Sequence, residues 1–314
     1  MKKILIVTDG KAGHENQSRA LCEALGYPFD LLRISYPCRL RKALSYAADQ
    51  VGILSPKFFC SEAVSGDYAA VVCTGSTAFY PGKVIARQLQ IPVAALLFPS
   101  GYRLNFDCIL APAFDNPPLR RNIIPIPVNL TAVNQDFYQR GVSAFLERHT
   151  PRKPAIAVIV GGPNRVATMT ADAMQCHLDR VFSATAGFER WVTTSRRTPP
   201  DVEALIDSYP FDYKLIYSQD QFNPIPAFVS LCEYLFVTAE STGMLSEAVT
   251  HGQAYVEVLM NLNDPHSKFA RFIKGLGREG SVHIFEDSLG EANRKVCMAG
   301  AIEKARELLG LVRF

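Results

Sequence analysis

Several features are missing from this sequence, and each absence removes a class of function. No run approaches the roughly 20 consecutive apolar residues that a membrane-crossing helix needs, so any membrane contact is expected to be peripheral. Cysteine occurs eight times, at positions 22, 38, 60, 73, 108, 176, 232 and 297, with no Cys-x-x-Cys pair and no spacing that suits a zinc cage. Most of these cysteines fall in apolar runs, as reduced core residues do, which points to a reducing, cytoplasmic setting. The net charge is only +3, with no dense Lys/Arg block, which gives nucleic-acid binding little support. The small cluster Arg39, Arg41 and Lys42 reads as a solvated helix face, with anionic lipid as the alternative. There is no Asp-x-Asp pair, no internal repeat and no low-complexity tract. The opening Met-Lys-Lys precedes a short apolar run that ends in Asp9 and Gly10 without a small-residue cleavage site, so it reads as a buried first strand.

What is present suggests two domains. The chain has 314 residues, 48% hydrophobic and 20% charged, too long for one ordinary core. Short β-branched runs alternate with helical-period segments throughout, the pattern of parallel sheets covered by helices. Expected strands are 4–8, 69–73, 93–98 and 108–110, then 155–160, 191–194, 214–217, 234–237 and 254–259. The charged, proline-bearing stretch 148–154 follows an expected helix over 136–147 and reads as a linker. The expected division is therefore 1–150 and 151–295, each a Rossmann-like α/β domain. A last helical pattern spans 290–309, with 296–314 expected to form a helix whose return to the first domain the sequence leaves open. Two such domains with parallel sheets facing a central cleft would place ligands outside the carboxyl ends of the strands.

The informative residues do follow strands. Asp9-Gly-Lys-Ala-Gly-His-Glu-Asn-Gln17 leads from the first strand into a helix. Gly10 and Gly13 permit a sharp bend or close approach of a ligand, and Lys11 and Gln17 offer donors. His14 is placed to remove a proton from a hydroxyl, with Asp9 the weaker candidate; the competing reading has His14 bonding only to its neighbours. In Cys73-Thr-Gly-Ser-Thr77, Gly75 and Ser76 either line a ligand or merely turn the chain and cap the next helix.

In the second half, Gly161 and Gly162 open a turn with room for phosphate or sugar, and Asn164 and Arg165 add donors. Ser195, Arg196 and Arg197 follow another strand, where two guanidiniums suit a pyrophosphate or are simply surface arginines beside a capped helix. Asn223 sits in a loop before a helix, as a ligand or as a simple loop residue. Thr238-Ala-Glu-Ser-Thr-Gly-Met-Leu-Ser-Glu247 is the most informative segment. Ser241, Thr242 and Gly243 place amides and hydroxyls at a helix mouth, and Glu247, a turn or more inside, is placed to accept ribose hydroxyls. The bland alternative makes Ser241 an N-cap and Glu247 a solvated residue.

Together, Gly10 to Gln17, Gly161 to Asn164, Thr194 to Pro199, Asn223-Pro224 and Thr238 to Ala248 resemble the elongated-mitochondria fission family of plants and its bacterial relatives. Some of those relatives are treated as glycosyltransferases of the lipooligosaccharide outer core, and the resemblance covers nearly the whole chain. The last segment is also similar to the donor-binding helix of the enzyme that adds N-acetylglucosamine to the lipid-linked peptidoglycan precursor. The resemblance implies a GT-B fold and an inverting, metal-independent transfer from a nucleotide sugar to a cell-envelope glycolipid or glycan, without a cofactor, at the inner face of the membrane. It implies a donor set of Gly161, Gly162, Asn164, Ser195, Arg196, Arg197, Asn223, Thr238, Glu240, Ser241, Thr242, Gly243, Met244, Ser246 and Glu247. Gly10, Lys11, Gly13, Gln17, Gly75 and Ser76 would stand on the acceptor side. Against the family pattern, Glu240 replaces the usual Asp and Gly243 the usual Ser. The rival expectations are a nucleotide-sugar epimerase of the same architecture and a non-catalytic scaffold.

Overall fold

The computed structural model describes residues 2–131 and 135–312. The chain divides into two units, Met1–Val133 with Cys297–Phe314, and Asn134–Val296.

In the first unit the chain runs β1 (Lys3–Thr8), α1 (Ala12–Leu25), β2 (Phe29–Ser35), α2 (Arg39–Gln50), β3 (Cys60–Ser61), β4 (Tyr68–Thr74), α3 (Phe79–Leu89), β5 (Val93–Leu96), β6 (Cys108–Pro112) and β7 (Ile123–Ile126). The sheet order is β3-β2-β1-β4-β5-β6-β7, parallel except for β3, which pairs antiparallel with β2. Successive β1 side chains feed opposite cores, as buried parallel strands must. Ile4 and Ile6 pack with Leu21, Leu25 and Ile302, whereas Leu5 and Val7 pack with Phe79, Val84 and Ile85.

In the second unit the order along the chain is α4 (Gln135–Leu146), β8 (Ala155–Ile159), α5 (Ala171–Ala184), β9 (Glu189–Thr193), α6 (Pro200–Ser208), β10 (Tyr213–Leu215), α7 (Ile225–Leu231), β11 (Tyr234–Thr238), α8 (Thr242–Thr250), β12 (Tyr255–Leu259), α9 (Lys268–Arg278) and β13 (His283–Ile284). Its sheet is β10-β9-β8-β11-β12-β13, parallel throughout. In both sheets the winding reverses beside the first strand, between β1 and β4 and between β8 and β11, which is where open α/β sheets bind ligands.

Several boundaries differ from the sequence reading. The division falls after Val133 instead of at 150, because α4 belongs to the second unit. Phe145 is fully buried there against Trp191, Tyr213 and Phe228, and Gly141 lets α4 close on Pro226. The stretch 148–154 is fastened instead of loose: Glu189 accepts from His149, from the Arg152 amide and from the Trp191 indole. The helix expected from 290 begins only at Ala299, as α10 (Ala299–Leu308). The residues before it are extended, held by Gly290 N donating to Glu257 (2.6 Å) and Val296 N to Val249 O (2.8 Å). α10 packs on α1, β6 and β7 of the first unit. The strand expected over 93–98 stops at Leu96 because Leu97 takes a left-handed φ of 71°. β2, β3, β7 and β13 were not expected at all.

One buried ion pair organises the first unit. The Lys83 ammonium of α3 bonds Asp49 of α2 (2.8 and 3.0 Å), Arg103 O and Asn105 (both 2.7 Å), and lies 4.4 Å from the Phe106 ring centre. Removing one partner strands the other charge in a dry core. Lys83→Met should therefore lower the unfolding free energy by about 3–5 kcal/mol in urea titrations. The double variant Lys83→Met/Asp49→Leu should recover much of that loss; equal destabilisation of single and double variants would contradict the pairing.

Candidate functional site

At the switch point of the first sheet the β1–α1 turn is built around Asp9. Gly10 turns the chain at φ 76°, its amide donating to Thr8 Oγ1 (3.0 Å). The Asp9 carboxylate accepts from the Lys11 ammonium (2.7 Å) and amide (3.3 Å) and faces His14 Nδ1 at 3.1 Å. Burial pushes the Asp9 pKa up, but the bonds from Lys11 and His14 outweigh it and hold the group below its ordinary value. From β4, Gly75 comes against the imidazole at φ 83°; a Cβ there would stand 2.4 Å from His14 Cε1. The glycine is thus required by the histidine. Ser18 of α1 locks the arrangement with a buried 2.7 Å bond to Thr74.

The remaining first-unit candidates divide. Gln17 donates to Gly13 O of its own helix (3.3 Å), and a Cβ at Gly13 would meet open space, so neither is built into the pair. Ser76 caps nothing: α3 starts from Ala78 without a side-chain cap. Its hydroxyl accepts from Lys42 (3.4 Å), which also reaches Thr77 (3.0 Å), so Lys42 belongs to the β4–α3 turn.

At the switch point of the second sheet the structure corrects the reading of the paired glycines. A Cβ at Gly161 would fall 2.0 Å from Glu240 Oε1, and one at Gly162 would fall 2.3 Å from Arg197 O. The space is taken by protein, not reserved for phosphate. Gly161 N donates to Thr238 Oγ1 (2.9 Å) and Gly162 N to Glu240 Oε1 (2.8 Å). Glu240, only 2% exposed, also accepts from Thr238 (3.0 Å) and Asn261 (2.7 Å). Thr238 and Glu240 are therefore interior struts and leave the donor set. Ser246 leaves it too, since its buried hydroxyl donates to Thr242 O (2.6 Å). Asn223 Oδ1 accepts Ile225 N (3.2 Å) and starts α7, and Asn164 Oδ1 accepts Val166 N (2.9 Å) inside its own turn. Both take the bland role.

What remains open is the outer rim. Arg196 and Arg197 are exposed, with no hydrogen bond or ion pair from either guanidinium among the described residues. Their turn is fixed by Thr198, whose Oγ1 accepts Ser195 N (2.8 Å) and donates to Gly161 O (2.6 Å). On the other side of β8, Gly243 is exposed in the first turn of α8, and a Cβ there meets nothing within 4 Å. Ser241 is buried, its hydroxyl turned onto Met244 Sδ (3.2 Å), so the mouth of α8 offers backbone amides more than side chains.

Glu247 has company that sequence reasoning missed. Tyr138 of α4 donates to Glu247 Oε1 (3.2 Å) and packs its ring 4.4 Å from that of His251. Burial pushes the Glu247 carboxyl up to about 7, the Tyr138 bond pulling the other way. No motif announces Tyr138, which is brought in by the packing of α4. A separate cavity of ≈ 590 Å³, lined by Lys2, Tyr27, Asp67, Tyr68 and Val312, lies at the amino ends of β1 and β4, the opposite edge of that sheet from Asp9 and His14. No helix among the described residues is long and apolar enough to cross a membrane.

The family described as "Mitochondrial fission ELM1" matches residues 12–310, and the chain belongs to that family. An uncharacterized protein of Rickettsia prowazekii (strain Madrid E) is 30% identical over 176 residues, 53% of this chain and 48% of that protein. The matched region thus spans about half the length of that relative. The UDP-GlcNAc 2-epimerase of Methanocaldococcus jannaschii is similar in structure at TM-score 0.54 and 14% identity, over 98% of this chain and 99% of that one. S. aureus MnaA, in a co-structure with UDP, gives 0.51 and 12% over 99% and 98%. The Neisseria meningitidis UDP-GlcNAc 2-epimerase bound to UDP-GlcNAc gives 0.51 and 11% over 98% and 91%. At such identities the likeness shows the fold, a pair of Rossmann-like domains of the GT-B kind.

Glu247 carries a testable pH dependence. Its folded pKa of about 7 lies above the ordinary 4.5, so the fold favours the protonated form. That contribution is complete below pH 4.5 and is lost as pH rises through 7. Between pH 5 and 8 the wild type should lose on the order of 2 kcal/mol relative to Glu247→Gln in urea unfolding. Parallel pH profiles for the two proteins would show that the carboxyl is not perturbed.

Proposed function

We propose, from this family membership and from the two switch-point clusters, that the chain transfers a sugar from a nucleotide-sugar donor to a hydroxyl of a cell-envelope glycolipid or related glycan. The observation that carries the reading is the Asp9–His14 pair, with Gly75 stripped of a side chain to admit the imidazole. With Nδ1–H donated to Asp9, Nε2 keeps its lone pair. It takes the proton of the acceptor hydroxyl as that oxygen bonds the anomeric carbon, and Asp9 stabilises the imidazolium formed. The bond from the anomeric carbon to the diphosphate oxygen breaks, and the nucleoside diphosphate leaves with the electron pair. Arg196 and Arg197, with the first-turn amides of α8 around Gly243, supply positive potential for that leaving group without a metal. Glu247, which accepts from Tyr138, accepts a ribose hydroxyl in this reading.

The fold likeness to UDP-GlcNAc 2-epimerases over nearly the whole chain supports a second reading, isomerisation of a free nucleotide sugar. Incubation with uridine- and cytidine-diphosphate sugars alone separates the two, because only the epimerase yields an epimer without acceptor.

Under the transferase reading, His14→Asn should lower transfer by about 10²-fold or more while leaving uridine or cytidine diphosphate affinity within about twofold. Arg196→Gln/Arg197→Gln should weaken that affinity by about tenfold or more in calorimetry. No affinity for any nucleoside diphosphate would remove both enzymatic readings and favour a scaffold.

A further inference from the structure

The helix α2 departs from the usual surface-helix pattern in having polar side chains buried and leucines exposed. Two polar residues lie on its inward face: Asp49 meets Lys83 in the core, and Ser45 is buried, donating to Lys42 O (2.7 Å) and bonded to Tyr36 (3.2 Å). Ala48 is buried beside them, whereas the leucines point outward. Leu40 is 67% exposed, Leu44 45% and Val51, just past the last turn, 71%, and Ile53 follows at 56%. Positions 40, 44, 47 and 51 fall on one stripe at helical spacing, and exposed Ala43 and Ala47 fill it without interruption. Isolated exposed leucines are ordinary, but a continuous apolar stripe on a helix whose opposite face buries an ion pair is not.

The charge around this stripe is one-sided. Between Leu31 and Ser61 the sequence has Arg33, Arg39, Arg41, Lys42 and Lys57 against the single acid Asp49. The segment is thus +4 in a chain of +3, so the rest of the protein is net −1. Because Asp49 is buried and already paired, its charge does not offset the surface cations. Arg33, Arg39, Arg41 and Lys57 are exposed, and the Arg41 guanidinium donates to Lys57 O, which places the cations of α2 and of the following turn side by side. Arg39, Arg41 and Lys42 occupy the first turn of α2, which has no acidic residue. Cations there oppose the helix dipole, so their position does not serve the helix itself.

We propose that α2 and the segment Val51–Lys57 form a docking surface for an anionic lipid membrane. Leu40, Leu44, Val51 and Ile53 enter the headgroup boundary, and Arg33, Arg39, Arg41 and Lys57 pair with lipid phosphates along its rim. Charge complementarity selects this occupant. A protein partner would be expected to meet aromatic anchors, and the stripe is aliphatic, with cations as the exposed charges of its segment. The inference rests on exposure and charge and is independent of the nucleotide-sugar reading; it holds or fails for the protein without donor or acceptor.

Co-sedimentation with vesicles tests it. The wild-type protein should partition onto vesicles containing about 30 mol% phosphatidylglycerol at least about tenfold better than onto pure phosphatidylcholine, and raised salt should erase the difference. Leu40→Ser/Leu44→Ser/Val51→Ser should cut partition onto anionic vesicles by about tenfold or more. Arg39→Gln/Lys57→Gln, which touches no buried group, should do so to a similar degree, and it keeps the test decisive if the triple variant misfolds. Three results would overturn the proposal: no partition onto anionic vesicles, equal partition onto neutral ones, or variants that bind like the wild type. Sedimentation equilibrium showing a dimer that the serine variants dissociate would overturn it as well, by assigning the stripe to a second copy of the chain.

Discussion

The second unit depends on one buried carboxylate. Glu240 sits where β11 ends and receives hydrogen bonds from the Gly162 amide, the Thr238 hydroxyl and the Asn261 side chain. Through them it joins the loops that follow β8, β11 and β12 at the carboxyl edge of the sheet. A carboxylate taken from water is tolerated only with such bonds, and here the donors of three loops are committed to it. The glycines at 161 and 162 follow from this, since a side chain at either would displace Glu240 or the backbone of Arg197. Asn261 Oδ1 is buried without a hydrogen-bond partner in the same cluster, so the site has one acceptor to spare.

In the proposed reading, that constraint directs the nucleotide to the outer rim. The inner amides at the switch point already hold an anion of the protein's own, and a phosphate would have to expel it. The outer rim is different: Arg196, Arg197 and the first turn of α8 at Gly243 face outward and are held by neighbours that do not use them up. The first unit has the same layout at its own switch point with the opposite chemistry. There the carboxylate of Asp9 is spent on orienting a histidine, and the glycine of the facing turn makes room for a ring. The two sheets, which wind alike around their first strands, thus carry an exposed rim of guanidiniums and amides in one unit and a carboxylate–imidazole pair in the other.

Much of this was legible in the sequence, and the parts that were not share a cause. Alternation of β-branched runs and helical periods located β1, β4, β8, β9, β11 and β12, because fully buried parallel strands leave a strong local signal. Edge strands do not: β7 carries Pro125 and β13 is two residues long, so neither stands out. Prolines near 150 suggested a linker, yet the fate of α4 was set by Phe145 meeting Trp191 and Phe228, contacts no local pattern records. His14, Asp9 and Gly75 were singled out as candidates, though their mutual contact was not. The error over Glu240, Thr238 and Ser246 came from treating every polar residue after an apolar strand as a ligand. One partner of Glu240, the Gly162 amide, lies 78 residues earlier, and only the sheet order brings it near. The inverted face of α2 was hidden for the same reason, since Lys83 is 34 residues from the Asp49 it neutralises.

The most direct test of the account is an amide-resolved NMR titration of the protein with uridine diphosphate, repeated with cytidine diphosphate. Resonances of Ser195 to Arg197 and of Gly243 and Met244 should shift with saturation, while the amides of Gly161 and Gly162, committed to Thr238 and Glu240, should stay nearly fixed. Shifts centred on Gly161 and Gly162, or confined to residues outside this rim, would contradict it.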